Sequence, residues 1–233
     1  MTDVPSAVLP ATCWERRVVG VPVGVIPDGC MDLIWDGDAV LLAGPDTRPH
    51  SVTVGGDDVV RGIRFDPGVL PGVLQVSARE LTDQRVPLAD VRPELARAVR
   101  ESVLAGAALD DAVAAAAGEV APPAWVAPTV RALVAGVPAE RIAATLGLGE
   151  RQLHRRATGV FGYGPKRLAV VLRATRALDE LRAGTELSDT AACVGYADYS
   201  HMYRDIRRLT GRSPADFRPA AAPPAGPDQE SGA

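Results

Sequence analysis

Two stretches decide the fold: Ile142-Ala143-Ala144-Thr145-Leu146-Gly147-Leu148-Gly149-Glu150-Arg151-Gln152-Leu153-His154-Arg155 and Thr190-Ala191-Ala192-Cys193-Val194-Gly195-Tyr196-Ala197-Asp198-Tyr199-Ser200-His201-Met202-Tyr203-Arg204. They are two copies of one pattern. Ala143 matches Ala191 and Gly147 matches Gly195, each 48 residues apart. One extra residue in the second turn moves the offset to 49, so Leu153 pairs with Met202, Arg155 with Arg204, Gly162 with Gly211 and Pro165 with Pro214. Each copy reads as a short helix, a glycine turn, a longer helix and a closing Gly-x-x-Pro. A small alanine late in the first helix lets the second cross it closely, and the glycine supplies the left-handed backbone that reverses the chain. Leu153 and Met202 are the apolar anchors of the second helices, which leaves their neighbours free to face outward. The pattern predicts two helix-turn-helix units.

Between the copies, Lys166 to Ala183 runs without Pro or Gly and carries Arg167, Arg173, Arg176 and Arg182. Eighteen helical residues span about 27 Å. Such a rod can set two reading helices into successive major-groove turns, about 34 Å apart on one face of a duplex, over a site of roughly 20 base pairs.

Charge is distributed to match. The 233-residue chain has a net charge of −4, yet residues 1–124 hold 10 Arg, no Lys and 18 Asp+Glu, while residues 125–218 hold 15 Lys+Arg against 9 Asp+Glu. A basic segment inside an acidic chain is the footprint of a nucleic-acid-binding domain.

Upstream, Val-rich runs at Val18–Val25, Leu33–Trp35, Ala39–Ala43, Ser51–Val54 and Val59–Phe65 alternate with Pro-Asp-Gly, Asp-Gly-Asp, Gly-Pro-Asp and Gly-Gly-Asp-Asp turns. That spacing predicts antiparallel strands in a small barrel or sandwich. Residues from Val69 to about Glu119 read as more helical, and Pro122-Pro123 marks a boundary. The expected fold class is therefore α+β. A β-rich effector or dimerisation domain occupies residues 1–90, a helical linker 91–124, and an all-α domain of two helix-turn-helix units joined by a long helix 125–218. The Ala/Pro/Gly-rich tail 219–233 is expected to lack order.

Residues 125–218 resemble the DNA-binding domain of the AraC/XylS family of bacterial transcription regulators, down to the closing Gly211-Arg212-Ser213-Pro214-Ala215-Asp216-Phe217-Arg218. Gly149 and Ala157 depart from the Ser and Phe usual in the first unit, and Asp205-Ile206 from the small residue and Phe usual in the second. The resemblance implies base reading by Arg151, His154 and Arg155 in the first unit and by Tyr199, Ser200, His201 and Arg204 in the second. Arginine forks suit guanine O6 and N7. Arg155 and Arg204 serve either there, or on phosphate, or as structural ties between helices, and Asp205 places an acid near DNA. Lys166, Arg167, Arg207 and Arg212 are expected on phosphates. Ile26–Ile34, Leu42–Pro45 and Gly62–Gly68 resemble a small uncharacterised N-terminal domain found on such regulators, which implies a β-barrel and names no ligand.

A small-molecule effector pocket in that domain would use Trp14 and Trp35 as aromatic walls and Asp32 and Arg64 to orient a polar group. The other open reading makes the tryptophans core and Asp32–Arg64 a satisfied pair. Control without a ligand, by protein interaction or by oxidation of Cys13 or Cys30, stands as the alternative. His50 is the only histidine of the domain, so no cupin-type metal site and no cofactor is expected. No phosphate loop, Ser/His/Asp order or zinc spacing marks an enzyme. Double-stranded DNA is the expected partner, with RNA polymerase if the protein activates and a homodimer left open. No leader and no membrane span are read, so a cytoplasmic location is expected.

Overall fold

The computed structural model describes residues 2–19, 23–52, 57–118 and 121–219. The expected disordered tail beyond Pro219, the end of the Ser51–Val54 run and the two glycines of the Gly-Gly-Asp-Asp turn lie outside the described residues. A six-stranded sheet has the order β1 (Thr2–Pro5), β2 (Ala11–Val19), β7 (Asp57–Phe65), β4 (Met31–Trp35), β5 (Val40–Ala43) and β8 (Arg85–Pro87). Beside it β3 (Val23–Val25) pairs with β6 (His50–Val52), and every pairing is antiparallel.

Side chains alternate across a strand. In β4, Met31, Leu33 and Trp35 are buried while Asp32 and Ile34 are not. The buried face joins Leu42, Ile63 and Phe65. It is covered by α1 (Leu70–Leu74), α3 (Pro93–Leu104) and α4 (Leu109–Ala117) through Leu70, Leu74, Leu95, Val99 and Val113; α2 (Leu88–Val91) adds Leu88. The segment read from sequence as a linker thus supplies two helices to the core of the β domain. Each fully buried Leu, Ile or Phe contributes about 1.5–3 kcal/mol, which is why α3 and α4 belong to the sheet.

The C-terminal region is α5 (Val126–Val134), α6 (Ala139–Thr145), α7 (Glu150–Phe161), α8 (Pro165–Arg182), α9 (Leu187–Cys193), α10 (Tyr199–Thr210) and a 3-10 turn (Pro214–Phe217). Gly147 and Gly195, the paired turn glycines of the repeat, take φ values of +66° and +82°. Two apolar cores result, both built on α8. Leu168 and Leu172 pack with Leu133, Leu153 and Phe161 of the first unit. Val171, Ala174, Leu178 and Leu181 pack with Met202, Ile206 and Leu209 of the second.

Candidate nucleic-acid interface

The second helix of each unit is held by its anchor. Leu153 and Met202 are fully buried, and around them Arg151 and Arg155 on α7, and Tyr199, Ser200 and Arg204 on α10, are exposed. The two helices start differently. Asp198 caps α10, its carboxylate accepting from the His201 amide at 2.7 Å. At the start of α7, Gly149 has no side chain to cap with; only the reverse bond forms, the Gly149 amide donating to Gln152 Oε1 at 3.0 Å. Neither arginine in question ties helices together. Among the described contacts Arg204 Nε donates to the Ser200 carbonyl of its own helix at 3.3 Å, and Arg155 has no hydrogen-bond or ion-pair partner.

The two histidines differ, His154 staying exposed and His201 half-buried. The His154 imidazole lies against Gly164, where a Cβ would come within 2.5 Å of its Nε2. His201 meets the Tyr196 ring edge-on at 5.1 Å and places Nε2 3.6 Å from Asp205. Asp205 itself corrects an expectation, since it is buried on the α8 side of α10. Arg173 (3.6 Å), His201 and Arg208 (3.3 Å) surround its carboxylate. Arg173 also stacks on Tyr196 at 4.4 Å. The acid therefore joins α10 to α8 and does not face DNA.

The expected phosphate contacts divide. Arg207 is exposed, and Lys166 is exposed beside Glu140 at 3.5 Å. Arg212 donates to the Asp216 carbonyl at 2.8 Å and stacks on Phe217. Arg167 is half-buried and donates to the Thr47 carbonyl of the β domain, so its guanidinium is already committed. Tyr203 was missed by the sequence reading. It is 38% exposed, one turn beyond Tyr199, with ring centroids 6.1 Å apart. Its position outside the Met202, Ile206, Leu209 stripe was the available signal.

In the β domain the four effector residues do not converge on one cavity. Trp14 Nε1 donates to Asp32 Oδ1 at 2.9 Å, and Arg64 Nε lies 3.3 Å from Asp32 and 3.4 Å from Asp28. Trp14 lies across Gly62, leaving no room there for a Cβ, whereas Trp35 is buried on the opposite face. Burial raises the Asp32 carboxyl above the usual range, opposed by Arg64. An open groove of about 430 Å³ is bordered by Trp14, Trp35, Cys13 and Leu109 but not by Asp32 or Arg64. The Cys13 thiol is pushed up to about 11 by burial and Asp110, and Cys30 is raised by burial and Asp28. Among the described residues no cluster of His, Cys, Asp and Glu is placed to hold a metal, and no helix is long and apolar enough to cross a membrane.

Two family models match the chain: a helix-turn-helix domain over residues 142–220 and a domain of unknown function (DUF6597) over residues 11–87. No curated protein matches. Among solved structures, ToxT from Vibrio cholerae O395 is similar, with 10% identity and a TM-score of 0.50 over 89% of this chain and 96% of that one. A 1.65 Å structure of Vibrio cholerae ToxT gives 10% identity and 0.48 over the same shares. ToxT of strain SCE256 bound to unsaturated fatty acid gives 10% and 0.46, over 88% and 92%. At this identity the likeness concerns the fold. Residues 142–220 thus carry a helix-turn-helix domain, and residues 11–87 a small N-terminal domain of the DUF6597 type.

Proposed function

We propose that the chain is a sequence-specific, DNA-binding transcription regulator that reads two successive major-groove turns. The observation that carries this is the pair of reading helices. α7 and α10 stand at the two ends of one 18-residue helix, each anchored by a buried residue and each presenting exposed arginine within the basic region. Arg151 and Arg155 on α7, and Arg204 with Tyr199, Ser200 and Tyr203 on α10, are the base-reading groups; Arg207 and Lys166 sit toward phosphate. In duplexes selected from a random pool by the full chain, Arg151→Ala relaxes preference in one half-site and Arg204→Ala in the other, each by roughly 1–3 kcal/mol per base pair. Unchanged preference in both variants refutes the assignment.

Control by a small molecule is narrowed to the open groove. Its volume falls in the range of ligand sites, about 300–1,000 Å³, and Trp35 borders it, while the Trp14 ring lies on the other face of the sheet. Asp32 and Arg64 belong instead to an ion-paired network under Trp14. The raised thiols of Cys13 and Cys30 argue against control by oxidation, which needs an accessible thiolate.

A further inference from the structure

The three stretches that resemble the N-terminal domain of other regulators come together at one end of the sheet, and each puts its turn against the first helix-turn-helix unit. In Pro27-Asp28-Gly29-Cys30, a Cβ at Gly29 would sit 3.3 Å from Leu168 Cδ1 of α8. In Asp66-Pro67-Gly68, a Cβ at Gly68 would come within 2.7 Å of Val160, 2.9 Å of Val126 and 3.0 Å of Phe161. After Gly44, Pro45 covers Gly162 so closely that a Cβ there would meet its Cγ at 2.4 Å.

Polar contacts fix the register. The Tyr163 hydroxyl donates to the Asp46 carbonyl and Arg167 to the Thr47 carbonyl. The Ala78 amide donates to the Gly159 carbonyl at 2.8 Å. Burial pushes the Tyr163 phenol up, so it remains a protonated donor. Arg85 braces the same loop, holding both Asp46 carboxylate oxygens at 2.6 Å.

We propose that this end of the β domain is a docking surface whose partner is the chain's own first helix-turn-helix unit, and that docking holds α7 in place for DNA. The contacts fall on the C-terminal half of α7 and the start of α8, while Arg151 and Arg155 on the N-terminal half stay exposed. The surface therefore supports the reading helix without covering it. Support is needed there, because α7 lacks a side-chain cap and carries the small Ala157 at its fully buried position. A carbonyl shielded from water that loses its donor is left unsatisfied, so Tyr163 and Arg167 are positioning residues of the lock.

The second half of this proposal rests on the DNA-binding reading; the first does not. The test is amide exchange and duplex footprinting on the full chain carrying Tyr163→Phe and Arg167→Ala. Expected is at least tenfold faster exchange of the Ala78 amide, unchanged exchange of the Ile63 amide in the sheet, and a footprint shortened to the half read by α10. An Ala78 amide unprotected in the native chain, or equally protected in the variant, overturns the docking. Faster Ala78 exchange with a full-length footprint overturns the holding role. A native chain that binds no duplex refutes the DNA reading, while Ala78 still decides the docking. If the double variant unfolds, seen as lost Ile63 protection, Arg167→Ala alone is read the same way.

Discussion

Asp205 lies on α10 and is buried beside Arg173 of α8 and Arg208. A carboxylate on a reading helix looks like repulsion toward DNA, yet the α10 stripe of Met202, Ile206 and Leu209 turns it inward onto Arg173, and Arg173 onto Tyr196. A linear sequence shows the charge but not the partner 32 positions away on α8. Breaking a buried pair costs more than the pair contributes, because the remaining charge is left uncompensated. Asp205→Ala is therefore expected to cost about 2–4 kcal/mol in urea unfolding, with Asp205→Asn milder; a loss below about 0.5 kcal/mol contradicts the pairing. The cysteines give a second residue-scale prediction. Cys193 is exposed and alkylates first at pH 7.4, while Cys13, with its thiol pushed up to about 11, and Cys30 react only slowly until unfolding. Labelling of Cys13 or Cys30 as fast as Cys193 would revive an oxidation switch.

Among the elements, the helix-turn-helix pair was legible because its landmarks are local. Turn glycines, alanine crossings and anchors recur within each short unit, and Gly147 and Gly195 adopt the positive φ they were read for. Strands β4, β5 and β7 were legible from β-branched runs between turn formers, whereas β2 was not: most of it lies before the Val18–Val25 run, which the structure divides between the end of β2 and β3. The edge strands β1 and β8 were not legible either, since Thr-Asp-Val-Pro and Arg-Val-Pro form strands only by pairing with β2 and β5. Nor could an apolar face on α3 and α4 announce that it covers this sheet rather than links domains. The unequal caps of α7 and α10 were half legible, because Gly149 stood out and the Asp198 cap did not. Gly149 has extended φ and ψ, and a Cβ there would meet only Gln152 Oε1, at an ordinary 3.8 Å, so Gly149→Ser can cap α7 without strain. It is expected to raise stability by a few tenths of a kcal/mol, whereas Asp198→Ala costs about 1 kcal/mol. A destabilising Gly149→Ser would show that α7 begins elsewhere.

For the whole molecule, the charge map of the sequence overstated the DNA surface. The arginines of α8 all have partners within the chain, Arg167 on Thr47 and Arg173 on Asp205 in part-buried contacts, Arg176 on the Val134 carbonyl and Arg182 on Asp179 in exposed ones. What faces outward on the reading helices among the described residues is Arg151, Arg155 and Arg156 on α7, and Arg204, Arg207 and the Asp205-paired Arg208 on α10. With Lys166 and Arg207 as its phosphate contacts, binding should weaken with salt by a slope of about −2, at about −0.9 per phosphate contact. Arg176→Ala should leave that slope unchanged and Arg207→Ala should reduce it by about 1. Docking of the β domain adds the other whole-molecule feature, joining the first unit to the sheet while the second is joined through α8.

The central claim, that one chain reads two groove turns through α7 and α10, is tested most directly by footprinting the full chain on its selected duplex. Two protected patches, one helical turn apart on one face, are predicted, with Arg151→Ala weakening one and Arg204→Ala the other. A single protected patch affected alike by both substitutions would contradict it.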